Sequence, residues 1–202
     1  MPTSPPADAD APAGPLGPTS RAPATPVPPP PLWDGYCADP FVLRAEDGRY
    51  VMYGTTPSLP GGRAFQLLVS DDLASWSDAG GALTVPEGTP PGTEYWAPEV
   101  AHAGGRYWMY YSRGVGDTGH QLRVASSASP TGPFEDVGGP LTPDLPFAID
   151  PSPYLDRTGR WWLFYADTQL SDKTWLRNVK VTELFYNPDG TIRTIDPFVR
   201  RE

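Results

Sequence analysis

The apolar positions of this chain fall into short, dense runs, and no stretch repeats them at the 3.6-residue spacing of an amphipathic helix. The runs at residues 50–53 (YVMY), 107–111 (YWMYY) and 161–165 (WWLFY) are each entered through a Gly turn: Asp-Gly, Gly-Gly or Thr-Gly. Such turns ahead of β-branched and aromatic blocks signal hairpins, so each block is expected to be the second strand of a hairpin. Third strands are expected at 64–69 and 120–125, where QLLVS of the first lines up with QLRVA of the second. Turn-rich fourth segments follow, SDDLASWSDAG and SSASPTGPFEDVG. The pattern predicts an all-β chain with almost no helix, its aromatic strands (Trp162 among them) serving as core rather than as ligand contacts.

The runs belong to a longer repeat. Asp39 opens DPFVLRAEDGRYVMY and Asp150 opens DPSPYLDRTGRWWLFY, and in both a Gly-Arg-aromatic triplet begins nine residues after the Asp. A third copy, APEVAHAGGRYWMYY, starts at Ala97 with Ala in place of the Asp. The glycines are Gly48, Gly105 and Gly159, which sets periods of 57 and 54 residues. A period near 50 with all-strand content is the mark of propeller blades. Equivalent positions of successive blades lie around one axis, so Asp39 and Asp150 are expected to face one central pocket. Asp-Pro pairs also cap turns, as Asp196-Pro197 does, but turn chemistry does not require identical offsets to Gly-Arg-aromatic.

Composition narrows the partners. The formal charge is −9, from 15 basic and 24 acidic residues, which argues against nucleic acid or an anionic membrane and is compatible with neutral carbohydrate. A lone Cys37 excludes an internal disulfide and, with two His, a structural zinc site, so no metal or other cofactor is expected. Cys37 reads as a buried structural thiol. Residues 1–31 hold 12 of the 28 prolines and no aromatic residue, the composition of a disordered arm or spacer; the folded domain is expected over residues 32–202. That arm has no apolar run of the kind a secretory signal needs. The chain as written therefore reads as cytoplasmic, or secreted if its true start lies upstream.

DGYCADPFVL, YWAPEV and AIDPSPYLDRTGRWWLFY, in that order, resemble the motifs of glycoside hydrolase family 43. The resemblance implies a five-bladed propeller that cleaves arabinose- or xylose-containing glycans with inversion. By position, it implies that Asp39 is the general base and that Asp150 orients the general acid and tunes its pKa. Trp96, Pro98 and Glu99 match the motif that lines the pocket. Inversion needs one carboxylate to activate water and one carboxylic acid to protonate the leaving oxygen, and a neighbouring like charge keeps that acid protonated.

The departures are equally informative. About three blades are recognisable, and the fourth-blade Glu that is the family's general acid has no counterpart. After Gln169 the character changes, and residues 178–186 with NPDGTI resemble the family's closing segment. Glu183 reads as a solvent-facing strand residue rather than the missing acid. His102 and His120 read as a strand-end and a loop residue, and Asp71-Asp72 and Glu135-Asp136 as solvated charges in edge turns. Two functions stay open: an inverting glycosidase on pentose-containing glycans, or a catalytically impaired, carbohydrate-binding remnant.

Overall fold

The computed structural model describes residues 30–116, 118–167, 177–187, 189 and 191–195. The arm expected over residues 1–31 lies outside them, apart from its last two residues. Among the described residues there is no helix, and eleven strands form three antiparallel sheets. The first sheet runs in sequence order through β1 (Ala38–Arg44), β2 (Tyr50–Thr55), β3 (Arg63–Ser70) and β4 (Ser77–Thr84). The second repeats this order with β5 (Glu94–Ala103), β6 (Arg106–Val115), β7 (Thr118–Ser127) and the short β8 (Glu135–Asp136). The third has three strands: β9 (Ala148–Leu155), β10 (Trp161–Asp167) and β11 (Asn178–Leu184). The segment resembling a family closing strand thus pairs with β10 over its whole length, from Trp161↔Leu184 to Asp167↔Asn178.

The repeated glycines earn their place in the first hairpin of each sheet. Gly48, Gly105 and Gly159 have φ of +89°, +72° and +83°, values that only glycine adopts without steric cost. The turn is the same in the first and third sheets. Gly48 N–H donates to Ala45 O at 3.0 Å, and Gly159 N–H donates to Asp156 O at 3.1 Å.

Side chains alternate across a strand, and β6 uses both faces. Tyr107, Met109 and Tyr111 join a core with the first sheet, where Phe65 packs edge-on against Tyr111 with centroids 5.6 Å apart. Trp108 and Tyr110 point the other way, into a core with Leu163, Tyr165 and Leu184 of the third sheet. This double burial explains why the run at 107–111 is apolar throughout. The first strands follow one another in space, β1 against β5 and β5 against β9.

Two charges expected in solvent are instead engaged. The Asp136 side chain is only 7 % exposed, because β8 folds it under Arg123, which donates from Nε and Nη2 at 2.7 and 2.6 Å; Tyr111 Oη donates to it too. Glu183 takes a two-pronged contact from Arg160 at 2.9 and 2.6 Å and is 10 % exposed, because Trp162↔Glu183 pairing sets it beside the hairpin that carries Arg160.

Candidate functional site

The site begins with a backbone irregularity that recurs in every sheet. Proline has no N–H to continue a ladder, so Pro40, Pro98 and Pro151 each coincide with a break in strand register. The residues before them, Asp39, Ala97 and Asp150, sit in the left-handed region at φ of +48°, +46° and +57°. Such a conformation costs a non-glycine residue roughly 1–2 kcal/mol, so something must hold it.

Two hydroxyls do. Thr55, at the end of β2, donates from Oγ1 to Asp39 Oδ2 at 2.9 Å and accepts from Ala97 N–H at 2.8 Å. Ser112, the equivalent residue of β6, accepts from Asp150 N–H at 2.9 Å. Each hydroxyl therefore ties one sheet to the strained residue of the next. Both stand seven residues after the repeated glycine, a regularity that the aligned repeats display and that no single motif reveals.

Neighbouring carboxylates act on Asp150 and on Glu99. Partial burial raises the Asp150 carboxyl above the ordinary range, the negative charge of Asp39 raises it further, and Arg177 opposes the shift. Glu99 is also raised, first by burial and then by the charge of Asp150, against a stabilising hydrogen bond from Ser152. The Cys37 thiol, half-buried beside Asp39, is raised by burial and by that carboxylate. An ionised carboxylate next to a carboxyl biased toward its protonated form can accept a proton on one side of a reacting group and hold one on the other. Arg177 carries no sequence signal of its own and joins the site only through packing, whereas Ser152 lies inside the repeated phrase that Asp150 opens.

Trp96 lies at the wall of a cavity of about 350 Å³, shared with Tyr36, Thr55, Pro57, Thr93 and Glu94. Neither Asp39 nor Asp150 lines it. The connection runs through Thr55, which faces the cavity and holds the Asp39 carboxylate. Pro98 is buried beneath, and Glu99 is half-buried on the same strand. His120 heads the strand expected over 120–125, and its reading as a loop residue is corrected: it lies within β7, is fully buried, and stacks on the Trp96 indole. His102 is the near-terminal strand residue expected, stacked on Tyr107. Among the described residues no group of three or more His, Cys, Asp or Glu is arranged to hold a metal ion.

The chain is thus all-β, with carboxyls on its first strands whose charges bear on neighbouring carboxyls and a tryptophan-walled cavity joined to them through Thr55. The chain belongs to Glycosyl hydrolases family 43, whose profile matches residues 29–198. It is 42% identical over 93 residues to a xylosidase/arabinosidase of Bacteroides ovatus, covering 46% of this chain and 27% of that one. It is 29% identical over 217 residues to a beta-xylosidase of Xylanibacter ruminicola, covering 93% of this chain and 64% of the relative. Among solved structures, it is similar to the GH43_1 enzyme from Xanthomonas citri complexed with xylotriose, at 26% identity and a TM-score of 0.63 over 81% of this chain and 58% of that one. The chain thus spans less than two thirds of the length of these relatives.

Proposed function

We propose that the three sheets are consecutive blades of an incomplete five-bladed propeller, and that the chain binds pentose-containing glycans as an inverting glycosidase lacking its dedicated acid. Asp39 is the general base that activates water. Asp150 is the carboxyl whose charge would orient and tune a proton donor. Trp96 supplies an apolar wall for a sugar face, and Glu99 lines the second blade beside Asp150. The observation that carries this reading is the shared left-handed backbone state of Asp39 and Asp150 on first strands of different sheets, with the charge of one raising the carboxyl of the other. The xylosidase relatives and the xylotriose-bound neighbour support xylose or arabinose as the sugar.

No residue matches the family's fourth-blade Glu, and general acid help is typically worth about 10²–10⁴ in rate. The chain should therefore hydrolyse aryl xylosides or arabinofuranosides, whose leaving groups need little protonation, far better than xylotriose. Asp39→Ala should abolish what activity there is. Full turnover of natural xylan or arabinan by the purified chain would sink this reading.

A second reading is favoured by one observation: Glu99 is a third carboxyl, raised by burial and by Asp150, on the strand that carries Trp96. In this reading Glu99 donates the proton. Glu99→Gln would then suppress hydrolysis of xylotriose while sparing an activated aryl xyloside, and equal effects on both substrates would dismiss it.

A further inference from the structure

We infer that His120 is the positioning residue for Trp96 and that the sugar affinity of the cavity is set through the stack between these two rings. This rests on the reading of Trp96 as a sugar-packing wall and adds the group that aims it. The ring centroids are 3.7 Å apart with planes 24° from parallel, so the imidazole covers one face of the indole, and Trp96 also lines the cavity.

The imidazole is itself held from several sides. Its Nε2 lies 2.7 Å from Gly116 O, and since a carbonyl can only accept, that nitrogen carries the proton. Glu94 Oε2 is 3.9 Å from the same nitrogen. Phe147 meets the ring at a centroid distance of 5.8 Å and an angle of 64°. Gly114 forms the floor. A Cβ there would stand 2.5 Å from both Cγ and Cδ2 of the imidazole. Gly114 has no positive φ that would call for glycine, so what its missing side chain supplies is room for His120, ring and Cα alike. A fully buried ring fixed at its edge, its end and its floor is a rigid support. An indole resting on it forfeits less rotamer freedom when a ligand binds, which is how preorganisation raises affinity.

Two variants separate the stack from the hydrogen bond. His120→Phe keeps a ring against the indole and loses the tie to Gly116 O, whereas His120→Gln can keep a donor and loses the ring. A third, Gly114→Ala, crowds both the imidazole and the His120 Cα, which would lie 2.7 Å from the new methyl, and so disturbs the stack without touching either ring's chemistry. Xylotriose binding would be measured by calorimetry on the full chain. Near-ultraviolet circular dichroism would be recorded alongside, with Trp96→Phe defining the signal that belongs to Trp96, and far-ultraviolet dichroism checking the fold. An aromatic pair contributes enough to predict roughly a five- to tenfold weaker Kd for His120→Gln and Gly114→Ala, with His120→Phe within about twofold of the parent. The Trp96 signal should collapse in the first two variants and persist in His120→Phe.

Folded His120→Gln with an unchanged Trp96 signal and unchanged Kd overturns the inference. If His120→Gln does not fold, the same comparison is made between Gly114→Ala and the Gly114→Ala/His120→Ala double variant. Removing the displaced ring should then leave the Trp96 signal absent and the affinity low, and recovery of both to parent values would overturn the inference. Absence of xylotriose binding by the parent chain defeats the pentose reading and the affinity part with it, while the dichroism still decides whether His120 aims Trp96.

Discussion

Replacing Thr55 by Val deletes one hydroxyl and preserves the β-branched shape, so its effect isolates the clasp between the first two sheets. Two partners lose their bond. Asp39 Oδ2 loses a donor at 2.9 Å, but this residue is exposed and water replaces the lost bond at little cost. Ala97 N–H loses an acceptor at 2.8 Å, and this residue is half-buried at a break in the ladder. Leaving such a donor unmet costs about 1–3 kcal/mol, and release of the strained backbone at Asp39 and Ala97 offsets part of it. A net loss of about 2 kcal/mol is expected, which for a domain of this size lowers Tm by roughly 4–8 °C. Scanning calorimetry and urea unfolding would measure it, with an unchanged m-value showing that the unfolded state is not the source. Thr55→Ser, which retains the hydroxyl, should recover most of the stability. Thr55→Val melting within about 1 °C of the parent would refute the clasp.

Three further outcomes follow from the same geometry. Asp39→Asn should lower the Asp150 titration toward the ordinary carboxyl range, read by NMR of labelled aspartate; an unmoved titration would show that the two groups are uncoupled. The sign is fixed by linkage. A carboxyl raised in the native state binds its proton more tightly there than when unfolded, so its contribution to stability declines as pH rises from about 4 through the raised native value, and Asp39→Asn should flatten that decline. Asp136 behaves oppositely. Burial works against its charge, but Arg123, Tyr111 and the Gly138 amide outweigh burial and hold the carboxyl below the usual range, so its contribution is whole above about pH 4 and is lost as pH falls through the native value. Asp136→Ala, by stranding Arg123, should cost about 3–5 kcal/mol in urea unfolding, and a loss under about 1 kcal/mol would contradict the buried pairing. Finally, Phe164 is 40% exposed and Val181, its partner across the sheet, is 53% exposed, whereas the corresponding Tyr110 of the second sheet is fully buried. Phe164→Asp should reduce self-association in sedimentation velocity, and an unchanged association profile would show that this face is not adhesive.

Much of the architecture was legible because it follows from local rules that this chain repeats. Gly-turn hairpins, alternating aromatic strands and the copies opened by Asp39 and Asp150 need no knowledge of distant partners. The left-handed state of the pre-proline residues was not legible, because a residue before proline is ordinarily extended. Where the reading failed, the missing information was a partner remote in sequence. Asp136 lies in a turn-like segment and would be solvated there, had Arg123 and Tyr111 of neighbouring strands not closed over it. Glu183 alternates outward as a strand residue should, yet Arg160 of the adjoining hairpin reaches it. His120 heads the strand that the repeat predicts, but nothing in its neighbours shows that its ring is buried against Trp96.

The residues by themselves determined the strand order of the first two sheets, the family, and which two aspartates hold equivalent positions, because hydrogen-bonded hairpins and an internal repeat are encoded by neighbours within a few tens of positions. Tertiary structure decided what those groups experience. Only packing brings Thr55 to Ala97, Ser112 to Asp150 and Arg177 into the field of Asp150, and only packing lays Trp96 on a buried imidazole. Such contacts join segments about 25 to 40 residues apart in sequence, where many partners are chemically equivalent and the fold alone selects one.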